Sequence, residues 1–399
     1  MRTRWRARLV TAALLAPVLG FVGLTLVFPL ALMLWQSVRD IDVRNALPRT
    51  VHLLSTWNPA EPVPEAAYGE VATDLAGLPS ETAAAAARRL NIESPGLRTV
   101  FLAAANDTAL AGAADPRQAL LDSNRGWGRP EIWLAMRAAR GPFTLRFLLA
   151  ALDLRQTPDG SIESRGSDRA VYREVYLRTF FVAALVTALC FALGLPLALY
   201  LAALTDRAAR LLLLLIMLPL WTSVLVRAMA WILLLDSNGL VNATLLAAGL
   251  VSHPLALVFN RFGVIVTMTH VLIPFMVLPL YNALRNVSRH QLWAAGSLGA
   301  KPWVVFRRIY LPQARSGIAA GLVLVFASGA GYYITPALVG GGSDQMLGTF
   351  VQQSAIRGND PQLAAGLGVV FLAIFLVLLG GLGMLLRPKL VAPRKPIRV

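Results

Sequence analysis

Residues 179–202, TFFVAALVTALCFALGLPLALYLA, decide the fold class, because no charged side chain interrupts them. An apolar run longer than about 18 residues can cross a lipid bilayer as an α-helix. Several such runs argue against the alternative, a soluble protein with very hydrophobic buried helices. The stretch therefore predicts a transmembrane helix.

Five further runs share this character, and 56% of the 399 residues are hydrophobic, above the usual share in soluble domains. The sequence predicts an all-α membrane protein with six transmembrane helices, the second formed by residues 179–202. The run nearest the N-terminus is too long for a signal peptide, so we expect a retained anchor. The five runs cover residues 9–34, 211–235, 263–284, 317–339 and 364–386.

The net charge of +16 does not indicate nucleic-acid binding, because many of the basic residues flank the apolar runs and they form no single patch with interleaved aromatics. Loops 236–262 and 340–363 hold one arginine each. Cytoplasmic loops are the ones rich in Lys and Arg, so this asymmetry predicts that both termini are cytoplasmic. The basic groups on that side are Arg2, Arg4, Arg6, Arg8, Arg207, Arg210, Arg285, Arg289, Lys301, Arg307, Arg308, Arg315, Arg387, Lys389, Arg394, Lys395 and Arg398.

A long polar region, residues 39–178, separates the first two runs, and the predicted topology places it outside the cytoplasm. Helical spacing in residues 64–78, 80–90 and 129–140 predicts a small helical domain, with Ser80 as a helix N-cap. Its alanine-rich helices offer few large apolar groups, so partial disorder is the alternative.

The predicted organisation has four parts. They are the cytoplasmic N-terminus with the first transmembrane helix (1–38), the extracytoplasmic helical insertion (39–178), a five-helix core with a cytoplasmic loop at 285–316 (179–387), and a basic cytoplasmic tail (388–399).

Inside the cytoplasmic loop, residues 293–318 read WAAGSLGAKPWVVFRRIYLPQARSGI. Gly299 suits the positive φ that ends a helix, and Pro302 suits the first turn of the next one. A helix with one apolar face and one basic face is the kind that docks in a groove of another protein. The apolar face would consist of Trp303, Val304 and Phe306, and the basic face of Arg307 and Arg308.

Two alanines, three residues, glycine, nine residues and Ile-x-Leu-Pro follow one another here, and this spacing resembles the cytoplasmic EAA loop of ABC importer permeases of the spermidine/putrescine-type branch. Residues 218–242, 273–287 and 331–351 resemble other parts of the same branch. Trp293 departs from the pattern, because family members often have Glu there. The resemblance implies that an ATPase couples through residues 291–312, by way of Trp293, Ala294, Ala295, Gly299, Lys301, Pro302, Trp303, Phe306, Arg307, Leu311 and Pro312.

The resemblance also implies a bacterial inner (plasma) membrane and three kinds of protein partner. These are a second permease subunit, a dimer of cytoplasmic ABC ATPases that binds ATP and Mg, and an extracytoplasmic substrate-binding protein. Membrane lipids surround the spans, and no nucleic acid is expected.

Arg227 lies inside a predicted span, where an ionisable group is costly and so suggests a function. Its partner would be Asp236 or a group on a companion subunit, and a structural ion pair is the alternative. We expect Trp221, Tyr332, Tyr333 and Thr335 to line a substrate pathway with Arg227, although tyrosines also occur in interfacial belts.

The chain lacks the GxxxxGK[ST] phosphate loop, so we expect no enzyme and no cofactor bound by this chain. Its one cysteine, Cys190, and four histidines supply no metal-ligand set. The sequence therefore favours a permease for polyamines or a related small polar solute. The alternatives are a membrane-anchored sensor with an extracytoplasmic ligand-binding domain, and a passive channel.

Overall fold

The computed structural model describes residues 14–110, 112–157, 161–164, 166, 170–358 and 360–386. The basic groups predicted at positions 2–8 and the tail predicted at 388–399 lie outside these residues. The chain forms two compact units. The first comprises Met1–Ala170 with Ser354–Val370, and the second comprises Val171–Gln353 with Phe371–Val399.

The first unit begins with a long apolar helix and continues as a set of short helices. The first helix, α1, covers Leu14–Val38, is exposed along almost its whole length, and is long and apolar enough to span a membrane. The other elements of this unit are α2 (Asp42–Ala46), α3 (Pro48–Thr56), α4 (Glu65–Leu75), α5 (Ser80–Glu93), α6 (Leu97–Ala105), α7 (Pro116–Ser123), α8 (Pro130–Ala138), α9 (Arg146–Ala151) and the antiparallel strands β1 (Leu154–Gln156) and β2 (Ile162–Ser164).

Aromatic side chains fill the core of this helical region. Trp127 and Trp133 are fully buried, their ring centroids are 5.7 Å apart, and the Trp133 indole N–H donates to the Trp127 carbonyl oxygen over 2.9 Å. Tyr68 packs edge-on against Trp133 at 4.7 Å. The described part of the region is therefore folded, because these rings supply the apolar volume that its alanines lack.

The three helices predicted in this region are confirmed as α4, α5 and α8. The predicted N-cap is wrong, since Ser80 is the first residue of α5 and Pro79 occupies the cap position without a side-chain hydrogen bond. Pro79 has an extended ψ of 137° and takes the cap position, so the helix starts at Ser80, one residue earlier than a serine cap would place it.

An ion network crosses the interior of the first unit. Arg89 of α5 donates from Nε and Nη2 to the two carboxylate oxygens of Asp40, over 2.8 and 2.6 Å, and from Nη1 to Glu93 over 2.6 Å. Glu93 also accepts from Arg146 of α9. The side chains of Arg89 and Asp40 are 1% and 2% exposed. We call Asp40, Arg89, Glu93 and Arg146 the buried ion network.

The second unit is a bundle of long helices. Its elements are α10 (Tyr172–Ala203), α11 (Asp206–Met217), α12 (Val224–Leu235), α13 (Leu240–Ala247), α14 (Arg261–Arg285), α15 (Arg289–Ser297), α16 (Pro302–Ala330), α17 (Ile334–Val339) and α18 (Leu347–Gln352). The last helix, α19 (Pro361–Leu386), belongs to the first unit up to Val370 and to the second unit from Phe371.

Small residues allow α10, α14 and α16 to pack closely in this bundle. A side chain at Gly317 of α16 would collide with the backbone of Pro279, and one at Gly321 would reach within 2.8 Å of the Met276 sulfur. A side chain at Gly194 of α10 would also meet Met276, at 3.0 Å from its Cγ. Helices that cross a membrane commonly associate through such small residues, because they bring the backbones together.

Six helices among the described residues are long and apolar enough to span a membrane. The predicted spans at 179–202, 263–284 and 364–386 are confirmed within α10, α14 and α19. Two predicted spans have the wrong bounds. The run at 211–235 is interrupted by a 3-10 turn at Leu218–Trp221, so the candidate span is Val224–Ala247, which consists of α12, a turn and α13. The run at 317–339 breaks after Ala330, so α16 ends there and α17 is separate.

Candidate functional sites

The predicted helix–turn–helix on the 285–316 loop is present, and Gly299 makes its turn. Gly299 has a φ of +80°, and the Ala300 N–H donates to the Ala295 carbonyl oxygen over 3.1 Å. The left-handed conformation of Gly299 and this 6→1 backbone hydrogen bond together form a Schellman motif, which ends α15. No heavy atom lies within 4 Å of a Cβ built on Gly299, so glycine is required there by the backbone alone.

The second helix of this motif is the start of a long one. Lys301 is the N-cap of α16 and Pro302 its first residue. The helix continues through a π-helical turn at Phe306–Tyr310 to Ala330 without a break. The Tyr310 hydroxyl donates to the Leu284 carbonyl oxygen over 3.3 Å, which ties the motif to the end of α14. We call residues 291–312 the knob.

Large apolar side chains on the knob are exposed. Trp293 is 63% exposed, Leu298 is 88% exposed and Trp303 is 66% exposed. Trp303 stacks on Phe306 with ring centroids 5.7 Å apart, and Trp293 packs edge-on against His290 at 5.5 Å. A cluster of exposed apolar groups of this kind is a candidate interaction surface.

The other predicted coupling residues surround this surface. Ala295, Phe306 and Leu311 are half-buried. The exposed members are Ala294, Gly299, Lys301, Pro302, Arg307 and Pro312.

Arg227 lies in the first turn of α12, and its surroundings differ from the prediction. The Nε and Nη1 atoms are buried without a hydrogen-bond partner among the described residues. Of the two expected partners, Asp236 forms no ion pair with Arg227 among the described residues, and its carboxylate accepts from the Asn238 N–H over 3.0 Å after the end of the same helix. Arg227 instead lies near His270 and Tyr332.

Three helices bring polar groups together around Arg227. The Trp231 indole N–H of α12 donates to Nδ1 of His270 on α14 over 3.2 Å. Thr335 of α17 is 1% exposed and lies beside Tyr332. We call Arg227, Trp231, His270, Tyr332 and Thr335 the polar cluster.

Two predicted pathway residues lie elsewhere. Trp221 is 77% exposed on the 3-10 turn, and Tyr333 is 39% exposed beside Gly348. Neither forms a ring contact or a hydrogen bond with Arg227 within the described chain.

Residues 194–395 match the family described as the binding-protein-dependent transport system inner membrane component. The chain belongs to this family. The matched range contains both the knob and the polar cluster, and with the six apolar helices it makes the chain a multi-pass inner membrane protein.

Several relatives and one solved structure resemble the chain in part. The spermidine/putrescine transport system permease protein PotB of Salmonella typhimurium (strain SL1344) is 33% identical over 165 residues, which is 41% of this chain and 58% of the relative. The inner membrane ABC transporter permease protein YdcU of Escherichia coli (strain K12) is 34% identical over 206 residues, 47% of this chain and 64% of the relative. The chain thus spans less than two thirds of the length of these curated relatives. A crystal structure of a bacterial ABC transporter that imports alginate has 18% identity and a TM-score of 0.47, and the match covers 54% of this chain and 79% of that one.

The sequence alone did not identify three residues of the knob and the polar cluster, namely Leu298, Trp231 and His270. Leu298 is the most exposed of the large apolar side chains on the knob, and its place just before a left-handed glycine could have signalled a side chain at the tip of the turn. Trp231 and His270 complete the polar cluster. No local pattern points to them, because their contact joins residues 39 positions apart.

Proposed function

We propose that this chain is one permease subunit of an ATP-driven importer, with both termini in the cytoplasm and residues 39–178 outside. The family membership supports a transport role, and the distribution of arginines supports the orientation. The same membership leaves the sensor hypothesis without support.

The observation that carries the proposal is the knob. Its exposed Trp293, Leu298 and Trp303 suit an apolar groove on a cytoplasmic ATPase. Family members often have a glutamate at position 293, and here apolar contacts with the ATPase would take the place of the contact made by that glutamate. Because α16 is continuous from Pro302 to Ala330, a displacement of the knob moves the span itself. That span packs against α10 and α14, so the motion reaches the bundle core.

In the proposed cycle, ATP binding favours one of two conformational states of the transporter over the other. ATP closes a dimer of partner ATPases, which carries the knob with it. The spans then change from an inward-facing to an outward-facing arrangement, and an extracytoplasmic binding protein delivers its solute. ATP and Mg are held by the partner subunits, and a second permease completes the pathway.

The polar cluster is proposed to lie on that pathway. We propose polyamines or a related small polar solute as the substrate, in line with the PotB relatives. The apolar parts of the described candidate spans hold one carboxylate, Asp236 between α12 and α13, so we assign most of the specificity to the binding protein. Arg227 then pairs with a carboxylate of the companion permease, because a guanidinium would repel a cationic polyamine.

The change Arg227→Gln should lower uptake by roughly tenfold, equivalent to about 1.4 kcal/mol. The reason is that the glutamine removes the positive charge that pairs with the carboxylate of the companion permease. Uptake of radiolabelled spermidine into proteoliposomes of the assembled transporter measures the effect, with Arg207→Gln, at an exposed site, as the control. Equal uptake by the Arg227 and Arg207 variants would remove Arg227 from the pathway.

The change Leu298→Glu should prevent the ATPase from co-purifying with the tagged chain. The reason is that the carboxylate introduces a charge that must be desolvated when the knob docks. Quantitative mass spectrometry of the affinity-purified complex measures the ATPase retained. Ile162→Glu is the matched control, because Ile162 is an apolar residue 60% exposed on β2. Undiminished ATPase in the Leu298 sample would contradict the docking role.

A further inference from the structure

A short loop of the first unit is fastened to the end of α1. The Thr144 N–H donates to the Val38 carbonyl oxygen over 2.7 Å, and the Asp40 N–H donates to the Pro142 carbonyl oxygen over 2.9 Å. Arg39 and Phe143 form an antiparallel bridge between these two bonds. The loop, residues 140–145, therefore stays at the level of the last turn of α1.

This loop presents apolar side chains at that level. Phe143 is 56% exposed and Leu145 is 63% exposed. Phe143 packs edge-on against Trp35 with ring centroids 5.3 Å apart, and Trp35 is itself 49% exposed. Tryptophans near the end of a membrane span settle at the boundary between hydrocarbon and headgroups. The contact with Trp35 places Phe143 at the same boundary.

Basic groups flank the apolar ones. Arg39 lies opposite Phe143 in the bridge, and Arg140 begins the loop. Both are exposed, and neither has an ion-pair partner within the described part of the chain. Arginine guanidinium groups bind phosphate oxygens well, often through two parallel hydrogen bonds.

We propose that residues 140–145 are a membrane-interface anchor, in which Phe143 and Leu145 enter the lipid boundary beside Trp35 while Arg39 and Arg140 meet lipid phosphates. The apolar surface of the loop continues the exposed apolar surface of α1, where Leu34 is 51% exposed, so lipid is the occupant that this surface fits. The anchor requires only that α1 crosses the membrane and does not depend on ATP coupling.

The anchor fixes the first helical unit to the bilayer at a second point besides α1 itself. The loop leads directly into α9, whose Arg146 belongs to the buried ion network. Insertion of the loop would thus restrain the core of the unit near the lipid surface.

Lipid contact can be measured by fluorescence quenching. The full chain, with Cys190→Ala and with its co-purifying subunits, carries a bimane label on Phe143→Cys or, separately, on Leu145→Cys. Nanodiscs contain phosphatidylethanolamine and phosphatidylglycerol with or without bromine on the acyl chains. Gln118→Cys, at an exposed site on α7, is the control. The Leu145 label guards against loss of the Trp35–Phe143 packing.

Bromolipid should reduce the emission of the labels at 143 and 145 and leave the label at 118 unchanged. Aqueous iodide should quench the label at 118 more strongly than the other two. Labels at 143 and 145 that respond to iodide and not to bromolipid would overturn the anchor. So would labels that neither quencher reaches, because a companion protein would then cover the loop.

Discussion

Gly299→Val should reduce ATP-dependent uptake by about tenfold or more while the complex still folds, because a strain of roughly 1–2 kcal/mol falls on the turn of the knob. Valine is β-branched and tolerates a φ of +80° poorly. No atom lies within 4 Å of the added Cβ, so the effect comes from the backbone and not from a collision. The turn relaxes, and the two apolar helices of the knob lose their relative orientation.

Gly296→Val supplies a matched control for this prediction. Gly296 lies three residues earlier, within α15, has open space around its Cβ and has no positive φ. Proteoliposome uptake and ATPase activity should be measured together for both variants. Loss of uptake with continued ATP hydrolysis in the Gly299 variant alone would indicate uncoupling. Wild-type uptake in that variant would remove the coupling role of the turn.

Arg89→Leu should lower the free energy of unfolding of the first unit by about 3–5 kcal/mol, because it leaves Asp40 buried without its counterion. Both side chains are at most 2% exposed, so water cannot replace the lost hydrogen bonds. Arg117→Leu is the control, because it breaks an exposed ion pair: the side chains of Arg117 and Glu65 are 53% and 68% exposed. This change should lower the free energy of unfolding by about 1 kcal/mol or less. Hydrogen exchange of the amides of α5 in the full-length chain measures both.

The pH dependence of this variant has a definite sign. Burial raises the pKa of Asp40, while the hydrogen bond and charge of Arg89 lower it again. Without Arg89, the increase in the Asp40 pKa caused by burial remains, so the Asp40 carboxyl group holds its proton more tightly in the folded chain than in the unfolded chain. Stability from that difference is fully present below the unfolded pKa of about 3.9 and disappears as pH rises through the folded value. The deficit of Arg89→Leu should therefore shrink on acidification.

Asp40→Asn added to Arg89→Leu tests the cause. It removes the orphaned charge, so the double variant should recover part of the lost stability and lose the pH dependence. A double variant no more stable than Arg89→Leu would show that lost packing of the arginine, and not the buried carboxylate, causes the deficit.

Local chemistry made most of the knob predictable. A left-handed glycine followed by a proline at a helix start involves residues three positions apart, and the backbone rules for both residues act over that distance. The spans at 179–202, 263–284 and 364–386 were predictable because hydropathy alone decides them.

The breaks in the third and fifth predicted spans were not predictable in this way. Residues 218–223 and 331–333 remain apolar or aromatic enough to pass for helix, and proline gives no clear signal, since Pro196, Pro274 and Pro279 lie inside unbroken helices. Packing of α12 and α17 against α14 accompanies these breaks.

By itself the sequence determined the helical membrane class, the family and the turn of the knob, because each depends on neighbouring residues. Only the tertiary structure decided which groups surround Arg227 and which ions pair with Arg89. Asp40 and Arg89 are 49 positions apart, and Trp231 and His270 are 39 apart. Such pairs form only when the helices that carry them pack, and the balance between desolvation and pairing is settled at that contact.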